Sequence, residues 1–170
     1  TGTKYWLTKW NNLDENGNQI DLKVGQTVEP FDGETTSTFA SRTGSTLAFN
    51  ASTQITPSLV GDSMKSLGIQ KINGIVKQNI CFSNRYTVGI KSDDELKAYA
   101  PGSTASQLIA DDVKYACSAF LPLIENYASV SDSVLNLNSE FKNKNQRQVI
   151  AQFGNKNFVV MSVGGDNIAG

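Results

Sequence analysis

The sequence predicts an α+β domain: a largely antiparallel, twisted sheet built from hairpins, with two or three short helices packed on it. Three observations lead to this class. Hairpin signals recur along the chain, two segments carry helix-capping residues, and several short runs alternate between apolar and polar residues. A length of 170 residues fits one domain of ordinary size, so we assign residues 1–170 to a single domain.

Four pairs of strand-like segments are separated by turn signals. KYWLTKW and IDLKVG flank an Asn-Gly step at 16–17, and GIQKINGIVK contains a second such step at 73–74. Asn-Gly favours tight hairpins because both residues accept positive φ. RYTVGI and ELKAYA flank a polar turn at 92–94, and RQVIAQF and FVVMSV flank the turn GNKN. These pairs predict a protein rich in sheet.

Two helices are predicted from their caps. The first begins after Glu34, with Thr35 or Thr36 as N-cap, and stops at Gly44. The second lies in STASQLIADD, where Thr104 and Gln107 have the spacing of a capping box.

The remaining segments are read as one strand, one ambiguous run and one long loop. VKYACSAF places Val113, Tyr115 and Cys117 on one face of a strand, and Pro122 ends it. Residues 125–146 read as a long loop with a short strand at 134–137, and long loops are often functional. The run Leu-Ala-Phe at 47–49 leads into Asn50, either as a turn or as a strand that delivers an amide to a pocket.

The composition excludes several classes of function. The chain has no histidine, which removes the Ser-His-Asp triad and most zinc sites, and we expect no cofactor or metal, although acid-rich turns leave a bound Ca²⁺ open. A net charge of −1 argues against a nucleic-acid partner, and no run of about 18 apolar residues predicts a membrane span. Cys81 and Cys117 could pair, but two buried reduced thiols are the favoured interpretation. Because the chain starts at Thr1, we expect a processed or excised piece of a longer protein.

Four segments, taken in order, resemble the phosphodiester glycosidase family, which includes the uncovering enzyme of the mannose 6-phosphate pathway. They are YWLTKW…DENGNQIDLKVG, GETTSTFASRTGSTLAFNAST, NRYTVGIKSDDELKAYAPGSTASQLIADDVKYACSAFLPLIENY and NQRQVIAQFGNKNFVVMSVGG. The likeness is greatest to the version in tail proteins of phages and prophages of Gram-positive bacteria. It implies a virion tail module that hydrolyses sugar-1-phosphodiester linkages in cell-wall glycopolymers such as teichoic acid. The alternatives are a non-catalytic structural or glycan-binding tail module, and a secreted or cell-surface bacterial enzyme.

The resemblance also implies a set of site residues. Asn50-Ala51 matches the family's step on the active-site floor, Arg147 lies in its motif before a hairpin, and Glu125 lies in LIEN. The family's Asp-Gly-Arg step reads Gly-Gly-Asp at 164–166, so its acid is either missing or displaced to Asp166. The chain stops at Gly170, before the family's Gly-rich loop, so we expect a domain that is incomplete at its C-terminus and inactive alone.

Each candidate has a chemical role and an ordinary alternative. Arg147 is the candidate phosphate clamp, because a planar guanidinium matches phosphate geometry. Asn50 would hydrogen-bond a sugar hydroxyl or the phosphate, and Glu125 is a further substrate-binding candidate. Glu34 and Asp166 are the candidate catalytic carboxylates, since oxocarbenium chemistry commonly uses such pairs. The alternatives are a solvated strand-edge charge for Arg147, a turn amide for Asn50 and a helix-end acid for Glu34.

Two expectations concern arrangement. Arg147 starts a strand and Asn50 ends an apolar run, so both are expected at one rim of the sheet, lining one pocket. FVVMSV, at 158–163, is apolar enough to be a central strand buried on both faces. We therefore expect the rest of the same chain, or another tail subunit, to pack against it, besides a cell-wall glycan or phosphosugar as ligand.

Overall fold

Two antiparallel sheets and a short ribbon contain the strands of the computed structural model, which describes residues 2–26, 34–52, 68–80 and 83–164. The first sheet has the order β1-β10-β9, the second β3-β2-β6-β4-β5, and the ribbon pairs β7 with β8. The strand bounds are β1 Tyr5–Trp10, β2 Ile69–Ile72, β3 Ile75–Asn79, β4 Tyr86–Lys91, β5 Leu96–Tyr99, β6 Val113–Phe120, β7 Ile124–Glu125, β8 Ala128–Ser129, β9 Arg147–Gln152 and β10 Phe158–Val163.

Three short α-helices accompany these sheets within the described residues, and the predicted α+β class is confirmed. They are α1 Thr36–Thr43, α2 Ala105–Ala110 and α3 Asp132–Leu135, followed by a 3₁₀ turn at Ser139–Lys142. None of these helices is long and apolar enough to span a membrane. Both predicted caps are present. Thr35 caps α1, which ends at Gly44 with φ 66°, and Thr104 and Gln107 form the capping box of α2.

Three of the four predicted hairpins are confirmed, and the first is wrong. The β2–β3, β4–β5 and β9–β10 pairs are antiparallel neighbours in the chain and in the sheet. The Asn-Gly step at 16–17 does make a turn, because the Asp14 carboxylate accepts the N–H groups of Asn16 and Asn18 at 2.8 Å. Only one bridge, Leu13 with Gln19, follows from it, and β1 pairs with β10 instead.

Two predicted strands are also corrected. Residues 134–137, expected as a strand, lie at the end of α3 and just after it. The run at 47–49 is irregular rather than extended in a sheet. On β6, Tyr115 and Cys117 share a face as predicted, but Val113 joins the opposite core cluster. The register shift between Ile90 and Lys91 explains this, because a bulge reverses the alternation of side chains.

The hydrophobic core lies on both faces of the five-stranded sheet. Ile69, Tyr99 and Val113 pack with the fully buried Leu108 of α2 on one face. Val24, Ile90, Tyr115 and the free thiol of Cys117 pack on the other; Cys81 lies outside the described residues.

The three-stranded sheet is covered less evenly. β10 is the central strand of this sheet, as expected. Phe158 and Val160 on one face are buried, whereas the residues that alternate with them are half-buried. The expected burial on both faces is therefore found on one face only. Tyr5, Trp6 and Leu7 of β1 are all more than half exposed. The two sheets are joined by Gln152 of β9, whose side chain accepts the Leu96 N–H at 2.8 Å and donates to the Asp94 carbonyl at 2.6 Å.

Candidate functional site

A cleft of about 320 Å³ opens where strands β4 and β9 begin. Its walls come from the residue before β4, the first residue of β9 and the 3₁₀ turn with the loop that follows it. The cleft residues are Arg85, Glu140, Phe141, Asn143, Asn145 and Arg147. Two guanidinium groups, one carboxylate, one aromatic ring and two amides therefore share a small concave surface. The predicted long loop supplies four of these six residues.

Arg85 has a side chain that is largely removed from solvent. Its side chain is 12% exposed, and its Nη2 lies 2.6 Å from Oε2 of Glu140, whose side chain is 63% exposed. Among the described residues, Glu140 is the one hydrogen-bond partner of the Arg85 guanidinium. Arg85 therefore presents a largely buried positive charge that is neutralised by a carboxylate reaching in from solvent.

Arg147 begins β9, as the sequence predicted, but its guanidinium holds the loop. Its Nη2 donates to the carbonyl oxygens of Glu140 at 3.0 Å and Asn143 at 2.6 Å, and its Nη1 donates to that of Gln146 at 3.1 Å. Both Nη2 hydrogens are thus used, and every bidentate geometry of a guanidinium needs one of them. In this arrangement Arg147 adds charge to the cleft and can bind an anion through single hydrogen bonds only.

Asn50 lies at the same end of β9 but contacts its other face. The Asn50 N–H donates to Oε1 of Gln148 at 3.2 Å. Successive side chains of a strand point to opposite faces, so Gln148 and Arg147 lie on opposite sides of the sheet. Ser162, paired with Gln148 in register, also receives a hydrogen bond from the Gln148 amide, which places it on the Asn50 side. The structure does not bring Asn50 and the Arg147 guanidinium into one pocket.

Glu34 is engaged in an ion pair away from the cleft. Its two carboxylate oxygens accept from Nε and Nη2 of Arg42 at 2.9 and 2.8 Å, and the Arg42 guanidinium lies 5.2 Å above the Phe39 ring. The hydrogen bond from Arg42 holds the pKa of Glu34 below its usual value. This geometry ties the segment before α1 to the last turn of that helix.

The predicted acid Glu125 also lies outside the cleft walls. Glu125 is exposed on the β7–β8 ribbon, where it pairs in register with Ala128 next to a turn in which Asn126 and Tyr127 have positive φ. Asp166 lies outside the described residues. Within those residues, no three His, Cys, Asp or Glu side chains are grouped so as to hold a metal ion. Among the described residues that line the cleft, Glu140 supplies the one carboxylate.

Sequence reasoning missed Arg85 and Glu140. A basic residue directly before the strand-like run YTVGI was a signal, since residues at strand ends often face a site. The sequence gave no comparable signal for Glu140, because it is separated from Arg85 by 55 positions in the chain and meets it only in the folded structure.

Comparison with known proteins adds no relative to this picture. No protein-family model, no curated protein and no solved structure matches the chain.

Proposed function

We propose that this chain binds a phosphorylated saccharide, such as a phosphosugar unit of a cell-wall glycopolymer, in the cleft between Arg85 and Arg147. The observation that carries the proposal is the placement of both guanidinium groups on one residue. Arg85 binds the side chain of Glu140, and Arg147 binds its backbone carbonyl. Two cations this close, in a concave site, favour an anionic ligand, and guanidinium is suited to phosphate oxygens.

The other walls of the cleft suit a sugar. Phe141 offers an apolar ring, and Asn143 and Asn145 offer amides that can donate to and accept from hydroxyl groups. A volume of about 320 Å³ lies near the lower end of the range of roughly 300–1,000 Å³ found for small-molecule sites. These features favour one phosphorylated sugar unit over a long polymer segment. The virion tail remains the setting that the sequence resemblance suggests for such binding.

Hydrolysis of a sugar-1-phosphodiester is the second candidate, and Glu140 is the observation that favours it. As a base, its carboxylate would take a proton from a water that attacks the anomeric carbon. The bond from that carbon to the phosphate oxygen would break, with its electron pair leaving on the phosphate. Most glycosidases use two carboxylates, whereas the part of the cleft that the structure describes carries one. Binding is therefore the better supported function.

The test is a titration with glucose 1-phosphate, with glucose as the uncharged control ligand. Arg85→Gln should weaken binding by about 10- to 100-fold, the range expected for hydrogen bonds to a charged group. Arg42→Gln is the matched control, because it removes one guanidinium that is bound to Glu34 rather than to a cleft residue. Equal weakening by both variants, or equal affinity for glucose and its phosphate, contradicts the proposal. Release of reducing sugar from a sugar-1-phosphodiester, lost in Glu140→Gln, would support the second candidate.

A further inference from the structure

The backbone of Glu140 is held independently of its carboxylate, which has one described partner, Arg85. Its N–H donates to Oδ1 of the buried Asn138 at 3.0 Å, and its carbonyl accepts from Arg147 at 3.0 Å. Its side chain is 63% exposed, and its hydrogen-bond partner among the described residues is Arg85. The side chain can therefore rotate away from Arg85 without breaking the contacts that hold its backbone.

Arg85 cannot turn to solvent in the same way. Its side chain is 12% exposed, and the cleft is the concave surface to which it contributes. A guanidinium cannot lose its proton, so a buried one needs an anion beside it. An anion that reaches Arg85 through the cleft competes with the Glu140 carboxylate, because both are attracted by the same largely buried charge.

We propose that Glu140 is an anion gate: its carboxylate occupies the ligand's anion position on Arg85 and is displaced when a phosphosugar binds. This inference rests on the proposed function. The gate lowers the affinity for every anion by the strength of the Arg85–Glu140 pair. A ligand that also contacts Phe141, Asn143 or Asn145 through its sugar can offset that loss, whereas a bare anion cannot. Glu140 thereby lowers the affinity of both ligands equally, and the sugar contacts keep the phosphorylated sugar the tighter of the two.

The experiment compares wild type with Glu140→Gln in titrations with glucose 1-phosphate and with inorganic phosphate. Glutamine keeps the shape of the side chain and removes its charge. We expect both ligands to bind about threefold to tenfold more tightly to the variant, a range between exposed and partly buried ion pairs. The two ligands should gain by a similar factor, because each displaces the same carboxylate from Arg85 in the wild type. Glu15→Gln is the matched control, because it removes one carboxylate from the exposed turn at 14–17 and should leave both affinities unchanged.

A second variant shows whether the gain passes through Arg85. Glu140→Gln combined with Arg85→Gln should bind no more tightly than Arg85→Gln alone, because there is no cation left to uncover. Thermal unfolding of each variant shows whether it is folded. Binding that is equal or weaker in Glu140→Gln overturns the gate and leaves the binding function standing. If neither wild type nor Glu140→Gln binds glucose 1-phosphate, the proposed function and the gate are both wrong.

Discussion

Asn50 and Arg147 meet the same end of strand β9 from opposite faces. Asn50 donates its N–H to the side chain of Gln148. Arg147 immediately precedes Gln148 on β9, and its guanidinium donates to backbone carbonyls of the 3₁₀ turn and of the loop after it. The sequence predicted that Asn50 and Arg147 would lie at the same rim of the sheet. Arg147 and Gln148 are consecutive residues of β9, however, so their side chains point to opposite faces, and Asn50 contacts the face of Gln148. A ligand held at Arg85 and Arg147 thus lies across the sheet from the Asn50–Gln148 hydrogen bond.

Asn50→Ala should leave the affinity for glucose 1-phosphate within about twofold of wild type, well below the cost of one lost hydrogen bond to a charged group. The physical reason is that the backbone N–H, which makes the Gln148 contact, is kept, and the cleft is on the other face. Isothermal titration of both proteins measures it. A tenfold loss would mean that the sugar reaches around the end of β9 to Asn50, as the sequence interpretation expected.

Arg147→Lys should lower stability more than the usual rim substitution. From the sequence alone, little effect on folding was expected for a charge at a strand edge. In the structure the guanidinium donates hydrogen bonds to three carbonyl oxygens, those of Glu140, Asn143 and Gln146. The single ammonium group of a flexible lysine side chain cannot reach all three in the same geometry. We expect a loss of about 1–2 kcal/mol in the free energy of unfolding, measured by urea titration. Arg85→Lys is the matched control, since Arg85 has one described partner, and a larger loss there would contradict this account.

Local signals were predictable and long-range contacts were not. The Asn-Gly turn between β2 and β3 could be predicted because the turn depends only on the positive φ angles of its own two residues, 48° at Asn73 and 81° at Gly74. The Asn-Gly step at 16–17 also forms a turn, but β1, the strand before it, pairs with β10. The sequence of β10 is far more apolar than the segment that follows the turn. Turn chemistry defines a reversal of the chain, but burial decides which strands pair.

The same division explains the site. Arg147 could be singled out because its place at a strand start beside a long loop is visible in the sequence. Its contacts depend on the 3₁₀ turn at 139–142, which a weakly periodic segment does not predict. The Arg85–Glu140 pair depends on that turn and on the start of β4 together. The chemistry of the cleft is therefore a product of tertiary structure, not of any one motif.

The two helix caps should differ in their effect on global stability. Thr104→Ala removes the hydroxyl that accepts the Gln107 N–H in the capping box of α2, whose Leu108 is fully buried in the core. We expect a loss of about 1 kcal/mol, the usual cost of an N-cap, in the free energy of unfolding. Thr35→Ala removes the matching cap of α1, which has no buried residue, so α1 can fray while the core persists. Similar losses of global stability in the two variants would contradict this difference.

Lys156 and Asp93 form a contact between the two sheets, and we expect acid to weaken it. Lys156 Nζ lies 2.9 Å from Oδ2 of Asp93, linking the β9–β10 turn to the β4–β5 turn, and Lys156 also donates to the Asp93 carbonyl. The hydrogen bond from Lys156, followed by that from the Glu95 N–H, lowers the pKa of Asp93. Because the folded state holds this carboxyl's proton less tightly than the unfolded chain does, its stabilisation is present above the unfolded pKa of about 3.9 and is lost as pH falls through the lower folded pKa.

Asp93→Asn should therefore be less stable than wild type at pH 6, by a small amount given the exposure of the pair, and the difference should shrink toward pH 2. Urea unfolding of both proteins at pH 6, 4 and 2 measures the difference directly. Lys156→Met tests the same pair from its other side and should show the same approach to wild type in acid. Added salt should reduce both differences at pH 6, because partly exposed charges are screened. A difference between wild type and Asp93→Asn that stays constant from pH 6 to pH 2 would show that the carboxylate charge contributes nothing to the contact between the sheets.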